Sequence, residues 1–172
     1  QRLIADLKQV KVDAQLIAIK AGAKTGSVVA MVDKEGRRAL YVHPGANGLL
    51  DRTDIALDYL SQAQVVHMSA FVGEKQLRCQ REVARALAPG AKLSFAPGAL
   101  YARRGLEALT PILKRTLILF LNRKELKELT GADLEASAER CLQAGCQTVV
   151  VTLGKGLRRG KRTCCCLVAQ PD

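Results

Sequence analysis

The stretch from Thr25 to Asn47, TGSVVAMVDKEGRRALYVHPGAN, constrains this chain more than any other, because its period is two on both sides of a turn. Val28, Ala30 and Val32 alternate with Val29, Met31 and Asp33, Lys34-Glu35-Gly36 reverses the chain, and Arg38, Leu40 and Val42 alternate with Ala39, Tyr41 and His43 on the return. Successive side chains of a strand point to opposite faces, so this is the pattern of a β-hairpin. Pro44-Gly45-Ala46-Asn47 follows, and helical patterning starts only after it. A hairpin placed this way pairs mainly with itself and reads as a protruding lid. His43 shares a face with Tyr41, which makes it the better of the two histidines as a ligand contact.

Beyond the hairpin, helix and strand alternate. The spacing predicts a helix over Asp51 to Ala63 with Asp51 as N-cap, a strand over Gln64 to Ala70, and a helix over Glu74 to Ala88 that Pro89-Gly90 ends. A strand over Lys92 to Ala96, a helix over Leu106 to Lys114 and a strand over Leu117 to Leu121 come next. A short helix, Lys124 to Leu129, stops at Thr130-Gly131, and Asp133 caps a helix to Ala144 that leads into a strand over Thr148 to Leu153. Short, nearly all-apolar strands separated by helices are the signature of a parallel sheet, so the expected class is α/β with four core strands. The expected organisation is an edge segment over 1–24, the lid over 25–47 and the α/β core over 48–172. Ligands of open parallel sheets bind beyond the carboxyl ends of the strands. That rule selects Ser69 to Gly73, Pro97 to Tyr101, Asn122 to Glu125 and Gly154 to Gly160.

With 3% aromatic residues and no Trp, the core is aliphatic. No apolar run approaches the roughly 18 residues of a membrane span, and Gln1 to Val12 is amphipathic and charged, unlike a secretory signal, which implies a cytoplasmic protein. The cysteines show no paired spacing and are expected as reduced thiols, with Cys164 to Cys166 as small buried hydrophobes. The net charge of +11 is concentrated in Lys155, Arg158, Arg159, Lys161 and Arg162. This run reads as a solvated loop or as a phosphate-attracting mouth; without interleaved aromatics, nucleic acid is not the expected partner.

Two loops carry candidate chemistry. Asn122 and Glu125, three apart at a strand-to-helix junction, can direct two oxygens at one hydrated Mg²⁺, or can form a capping box. In Val151-Thr152-Leu153-Gly154-Lys155-Gly156, two glycines astride a lysine let backbone approach a phosphate or a flat ring. The nearby Gly156 to Thr163 segment is one residue short of a Walker A loop. His67, between Val66 and Met68, reads as a satisfied core histidine, and Asp51, Asp54 and Asp58 as a solvated helix start and face.

In this order, the TG and PGAN that bracket the hairpin, the NxxE at Asn122 and Glu125 and the VTLGKG at Val151 to Gly156 resemble the ribokinase or PfkB family of carbohydrate and nucleoside kinases. The resemblance runs to about Gly156. It implies a ribokinase-like three-layer core with a β-hairpin lid and an ATP-dependent transfer of the γ-phosphoryl to a sugar or nucleoside hydroxyl; separately, the unpaired edges of the hairpin strands point to a homodimer formed through the lid. Tyr41, His43 and Asn47 would contact substrate, Thr152, Gly154 and Gly156 the nucleotide, and Asn122 and Glu125 Mg²⁺ through water. The family's amino-terminal substrate region and its carboxyl-terminal GAGD, whose Asp is the base, have no counterpart here, Asp172 does not fill that role, and Ala96 stands where members often carry Asp. No catalytic base is therefore identified, and the expectation is a truncated chain with little or no turnover. The alternative is a non-catalytic nucleotide- or anion-binding, or lid-dimerising, α/β module.

Overall fold

The computed structural model describes residues 2–160 and 162–171. The chain forms two compact units that meet in sequence between Ala56 and Leu57.

The first unit opens with helix α1 (Arg2–Gln9), which closes through a left-handed Lys11 at φ 61°. Strands β1 (Ser27–Val32) and β2 (Arg38–His43) then pair antiparallel, with Ser27 opposite His43 and Val32 opposite Arg38. The turn is built by Asp33, whose carboxylate accepts from Glu35 N at 3.1 Å, Arg37 N at 2.8 Å and Arg37 Nε at 2.6 Å. The Arg37 guanidinium holds the Asp33 carboxyl below its usual range. Gly36 takes φ 77°, the left-handed conformation that closes the reversal at no steric cost.

The base of the hairpin explains why Thr25-Gly26 and Pro44 to Asn47 go together. A Cβ at Gly26 would stand 2.6 Å from the Pro44 carbonyl oxygen and 2.7 Å from Asn47 Nδ2, and one at Gly45 would strike the Lys24 carbonyl oxygen. Ala46 N donates to that same Lys24 oxygen at 2.8 Å. Two segments about twenty residues apart thus touch backbone to backbone, which only glycine permits.

The helix expected over Asp51 to Ala63 is broken. Arg52–Asp54 is a 3₁₀ turn, and α2 (Leu57–Gln62) begins separately. Asp51 accepts from Arg52 N at 2.6 Å, while Asp54 Oδ2 reaches back to Asp51 N at 2.7 Å and Asp54 Oδ1 takes Lys20 Nζ at 2.6 Å. Those bonds close the turn on itself and leave Ile55 extended (φ −109°, ψ 113°), so the α-helical ladder does not propagate.

The second unit is a five-stranded sheet in the order β3-β4-β5-β6-β7. Strands β3 (Val65–Ser69), β4 (Lys92–Ala96), β5 (Thr116–Asn122) and β6 (Thr148–Arg159) run parallel, as the apolar runs predict, and β7 (Arg162–Ala169) is antiparallel to β6. Helices α3 (Glu74–Ala86), α4 (Gly98–Ala102), α5 (Gly105–Leu113), α6 (Arg123–Thr130) and α7 (Leu134–Gln143) connect them. Leu77, Phe95, Leu109, Ile112, Leu119 and Val149 are fully buried, each worth roughly 1.5–3 kcal/mol of apolar transfer.

Four expectations are corrected. His67 is exposed rather than buried, because β3 is an edge strand whose pattern alternates; its Nδ1 is nonetheless paired, 2.6 Å from Ser94 Oγ. Cys165 and Cys166 are exposed and Cys164 half-buried, because β7 is the opposite edge. Pro97 to Tyr101 is not a loop but the start of α4, with Tyr101 buried at 1% exposure. Gly154 to Gly160 is likewise not a separate loop: β6 runs on to Arg159 as half of a hairpin with β7 that turns at Gly160, with a register shift between Thr152 and Leu157. All cysteines among the described residues are free thiols, as expected.

Candidate functional site

The carboxyl end of β5 and the point on β6 where its parallel pairing with β5 stops bring the sequence-selected residues of the core together. Asn122 is the last residue of β5 and pairs in register with Thr152 of β6, so the helix-start motif and the glycine motif lie on adjacent strands. This follows from the sequence locally: the apolar run Leu117 to Leu121 ends at a polar residue with high N-cap preference, and α6 begins at the next residue.

Asn122 and Glu125 form a reciprocal capping box. Asn122 Oδ1 accepts from Glu125 N at 2.9 Å, and Glu125 Oε2 accepts from Asn122 N at 2.9 Å. Both alternatives raised by the NxxE spacing meet here. The box consumes one oxygen of each side chain and fixes the orientation of the Glu125 carboxylate, whose Oε1 remains for a water of a hydrated cation. A single free carboxylate oxygen is a donor that a Mg²⁺ keeping most of its waters can use. Gly131 ends α6 in the left-handed conformation at φ 72°, giving a short rigid helix whose start is defined at one residue.

On β6, Thr152 is exposed and its hydroxyl lies 3.5 Å from the Leu121 carbonyl oxygen. Gly154 (φ 59°) and Gly156 (φ 91°) are both left-handed, but their surroundings differ. A Cβ at Gly154 would meet open space, whereas one at Gly156 would strike Thr163 Cγ2 and stand 3.2 Å from the Cys164 carbonyl oxygen. Gly154 therefore leaves a face open to a ligand, while Gly156 is needed for β7 to approach. Sequence reasoning, which treated the two glycines alike, missed this division because β7 was not foreseen.

The hairpin residues lie in the other unit. Tyr41 and His43 are exposed on β2, opposite Val29 and Ser27 respectively, and Asn47 is exposed in the 3₁₀ segment Gly45–Leu49. Of the basic run, Lys155, Arg158 and Arg162 are on the β6–β7 hairpin, and Lys161 lies outside the described residues. No helix among the described residues is long and apolar enough to cross a membrane.

Comparison with known proteins gives this geometry a family. The model of the pfkB family carbohydrate kinases matches residues 1–156. An uncharacterized sugar kinase of Archaeoglobus fulgidus is 33% identical over 152 residues, covering 88% of this chain and 60% of that protein. A ribokinase of Staphylococcus aureus is 27% identical over 161 residues, covering 89% of this chain and 51% of its own. Among solved structures, a ribokinase from Giardia lamblia superposes with a TM-score of 0.78 at 20% identity, over 98% of this chain and 52% of that one, which speaks for the fold. The chain thus spans between about half and three-fifths of the curated relatives it matches. The matched span contains the bracketed hairpin, the NxxE at the end of β5 and the glycine motif on β6, and the chain belongs to the pfkB family of carbohydrate kinases.

Proposed function

We propose that this chain carries the central part of an ATP-dependent kinase that transfers the γ-phosphoryl group to a hydroxyl of a sugar or nucleoside. The observation that supports this best is the adjacency of Asn122 and Thr152, which brings the capped helix start at the carboxyl end of β5 next to the open Gly154 just beyond the parallel-paired part of β6. In this reading Glu125 Oε1 holds Mg²⁺ through its waters while Asn122, its own oxygen committed to Glu125 N, orients that carboxylate, and Thr152, Gly154 and Gly156 border the nucleotide. Bound Mg²⁺ would supply neutralisation of the phosphate charge. The α6 N-terminus adds a favourable partial charge for the same anion. Within the hairpin unit, Tyr41, His43 and Asn47 are the residues assigned to the sugar or nucleoside.

No residue of the chain is assigned as the base that would accept the hydroxyl proton. The expected outcome is therefore measurable binding of Mg²⁺-ATP with little or no turnover. Calorimetric titration with Mg²⁺-ATP, alongside an ATP-consumption assay over a panel of sugars and nucleosides, tests both halves. Robust turnover overturns the missing base, and no nucleotide binding in the presence of Mg²⁺ overturns the site.

A second reading, that the hairpin also joins two copies, is favoured by one observation. Val28, Val29, Met31, Val32, Leu40, Tyr41 and Val42 are each more than half exposed, so both faces of an apolar hairpin are open. A second copy would cover this surface and the strand edges. Sedimentation of the chain with and without residues 25–47 decides it: a dimer that becomes a monomer on deletion is expected, and an unchanged monomer removes it.

A further inference from the structure

We infer that a cationic cleft at the amino ends of β4, β5 and β6 is a binding site for a diphosphate group. The cleft holds about 420 Å³ and is lined by Pro89 to Leu93, Lys114, Arg115, Leu117 and Gln147, a volume within the roughly 300–1,000 Å³ of small-molecule sites. It stands at the opposite end of β5 from Asn122, about 20 Å away along the strand, and is therefore separate from the candidate site. A neighbouring cleft shares Lys114 and Arg115 and adds Arg85.

Two of the cations are positioned by the backbone around them. Arg115 Nη2 donates to the Leu87 and Ala88 carbonyl oxygens at 3.0 Å each, which seats the half-buried guanidinium at the end of α3 and leaves Nε and Nη1 for a ligand. Lys114 crosses closely over Gly145, where a Cβ would stand 2.9 Å from Lys114 Cα and 3.0 Å from its Cγ, so its stem runs beside the turn that leads to Gln147. Lys92 is the exposed first residue of β4. The positive charge has no acidic counterpart. Residues 83–106, 108–124 and 140–171, which supply every residue lining the two clefts, contain no Asp or Glu. Among the described residues, none of Arg85, Lys92, Lys114 and Arg115 enters an ion pair. Helix carboxyl ends attract cations, but at about half a negative charge each the ends of α3 and α5 offset on the order of one of these four charges and leave about three. A diphosphate matches that excess, and a guanidinium seated by its other edge can meet its oxygens with charge-assisted hydrogen bonds. Single-stranded nucleic acid would call for stacking aromatics, and the lining has none.

The inference does not rest on the kinase reading and is tested without Mg²⁺. Inorganic pyrophosphate is titrated into the chain in the absence of divalent ions, with calorimetry for affinity and nitrogen-15 amide shifts for location. One ion per chain is expected, with shifts at Gly90, Ala91 and Gln147. Lys92→Gln and Lys114→Gln should each weaken binding about fivefold, and the double variant about twentyfold or more, while sulfate, a single dianion, should bind about tenfold more weakly than pyrophosphate. Arg158→Gln, on the β6–β7 hairpin, should leave the affinity unchanged. Both lysines are exposed, so these variants are expected to fold, and circular dichroism checks this; the amide shifts of the parent locate the site independently of any variant. Absence of saturable binding, shifts confined to residues 152–158, equal affinity for sulfate, or full affinity in the double variant overturns the site.

Discussion

Asn122 lies directly opposite Thr152 in the parallel register of β5 and β6, so the N-cap of α6 is also the residue beside the glycine motif. Removing the cap and removing the charge are therefore separable. Asn122→Ala deletes the acceptor for Glu125 N and is expected to cost about 1 kcal/mol, a fall in Tm of about 2–4 °C for a chain of this size. Glu125→Gln keeps an oxygen for Asn122 N, since Gln serves at the same capping position, and should leave Tm near the parent value while weakening Mg²⁺-dependent nucleotide binding. Calorimetry and nucleotide titration on the two variants check this. An equal fall in Tm for both would make the carboxylate charge a purely structural element.

The two glycines of β6 should respond unequally. Gly154→Ala places a Cβ in open space and bears only the left-handed backbone penalty, on the order of 1 kcal/mol. Gly156→Ala bears that penalty and also forces β7 away at Thr163 and the Cys164 carbonyl, adding about 1–3 kcal/mol of overpacking. Urea denaturation should rank parent, then Gly154→Ala, then Gly156→Ala. The reverse order would mean that β7 does not pack on β6 at Gly156.

What was legible in the sequence was the part written in local periodicity. The hairpin, the four parallel strands and α6 with its cap all follow from patterns a few residues long. What was not legible depended on contacts distant in sequence. The exposure of His67 is set by the place of β3 at a sheet edge, and the Asp54 carboxylate that closes the 3₁₀ turn at Arg52 is also held by Lys20, 34 residues away. Strand β7 was obscured because Cys164 to Cys166 and the basic residues before them form no apolar alternation; its pairing with β6 defines it. For the candidate site, the NxxE was legible as a strand-to-helix junction, but the different surroundings of Gly154 and Gly156 inside β6 needed the neighbour strand.

The Lys20–Asp54 pair ties the segment before the hairpin to the turn after it at 2.6 Å. The hydrogen bond from Lys20, with that from Asp51 N, holds the Asp54 carboxyl below its usual range. A carboxyl with a depressed folded pKa stabilises above its unfolded pKa of about 3.9 and loses that contribution as pH falls through the folded value. Asp54→Asn should therefore narrow the stability gap to the parent as pH drops from 5 toward 2, a window of about three units below the neutral range. Acid titration followed by circular dichroism checks this; a gap independent of pH would assign Asp54 a capping role only.

The buried cysteines make the opposite prediction at alkaline pH. Burial pushes the Cys141 thiol up to about 12 and the Cys146 thiol up to about 11, and Cys146 Sγ lies 2.9 Å from the Cys141 carbonyl oxygen, to which it donates. In the unfolded chain both thiols would ionise near their ordinary value of about 8.5. A group whose folded pKa is raised stabilises fully below the unfolded pKa and loses that contribution as pH rises toward the folded value. The parent should thus lose stability progressively between about pH 8.5 and 11, and Cys141→Ala together with Cys146→Ala should flatten that slope at some cost in stability at neutral pH. In the native state at pH 8, alkylation should label Cys165 and Cys166 first and reach Cys141 and Cys146 only through opening. Mass spectrometry of timed alkylation measures the order, and prompt labelling of Cys141 would place α7 and the β6 entry in a less closed packing than their burial requires.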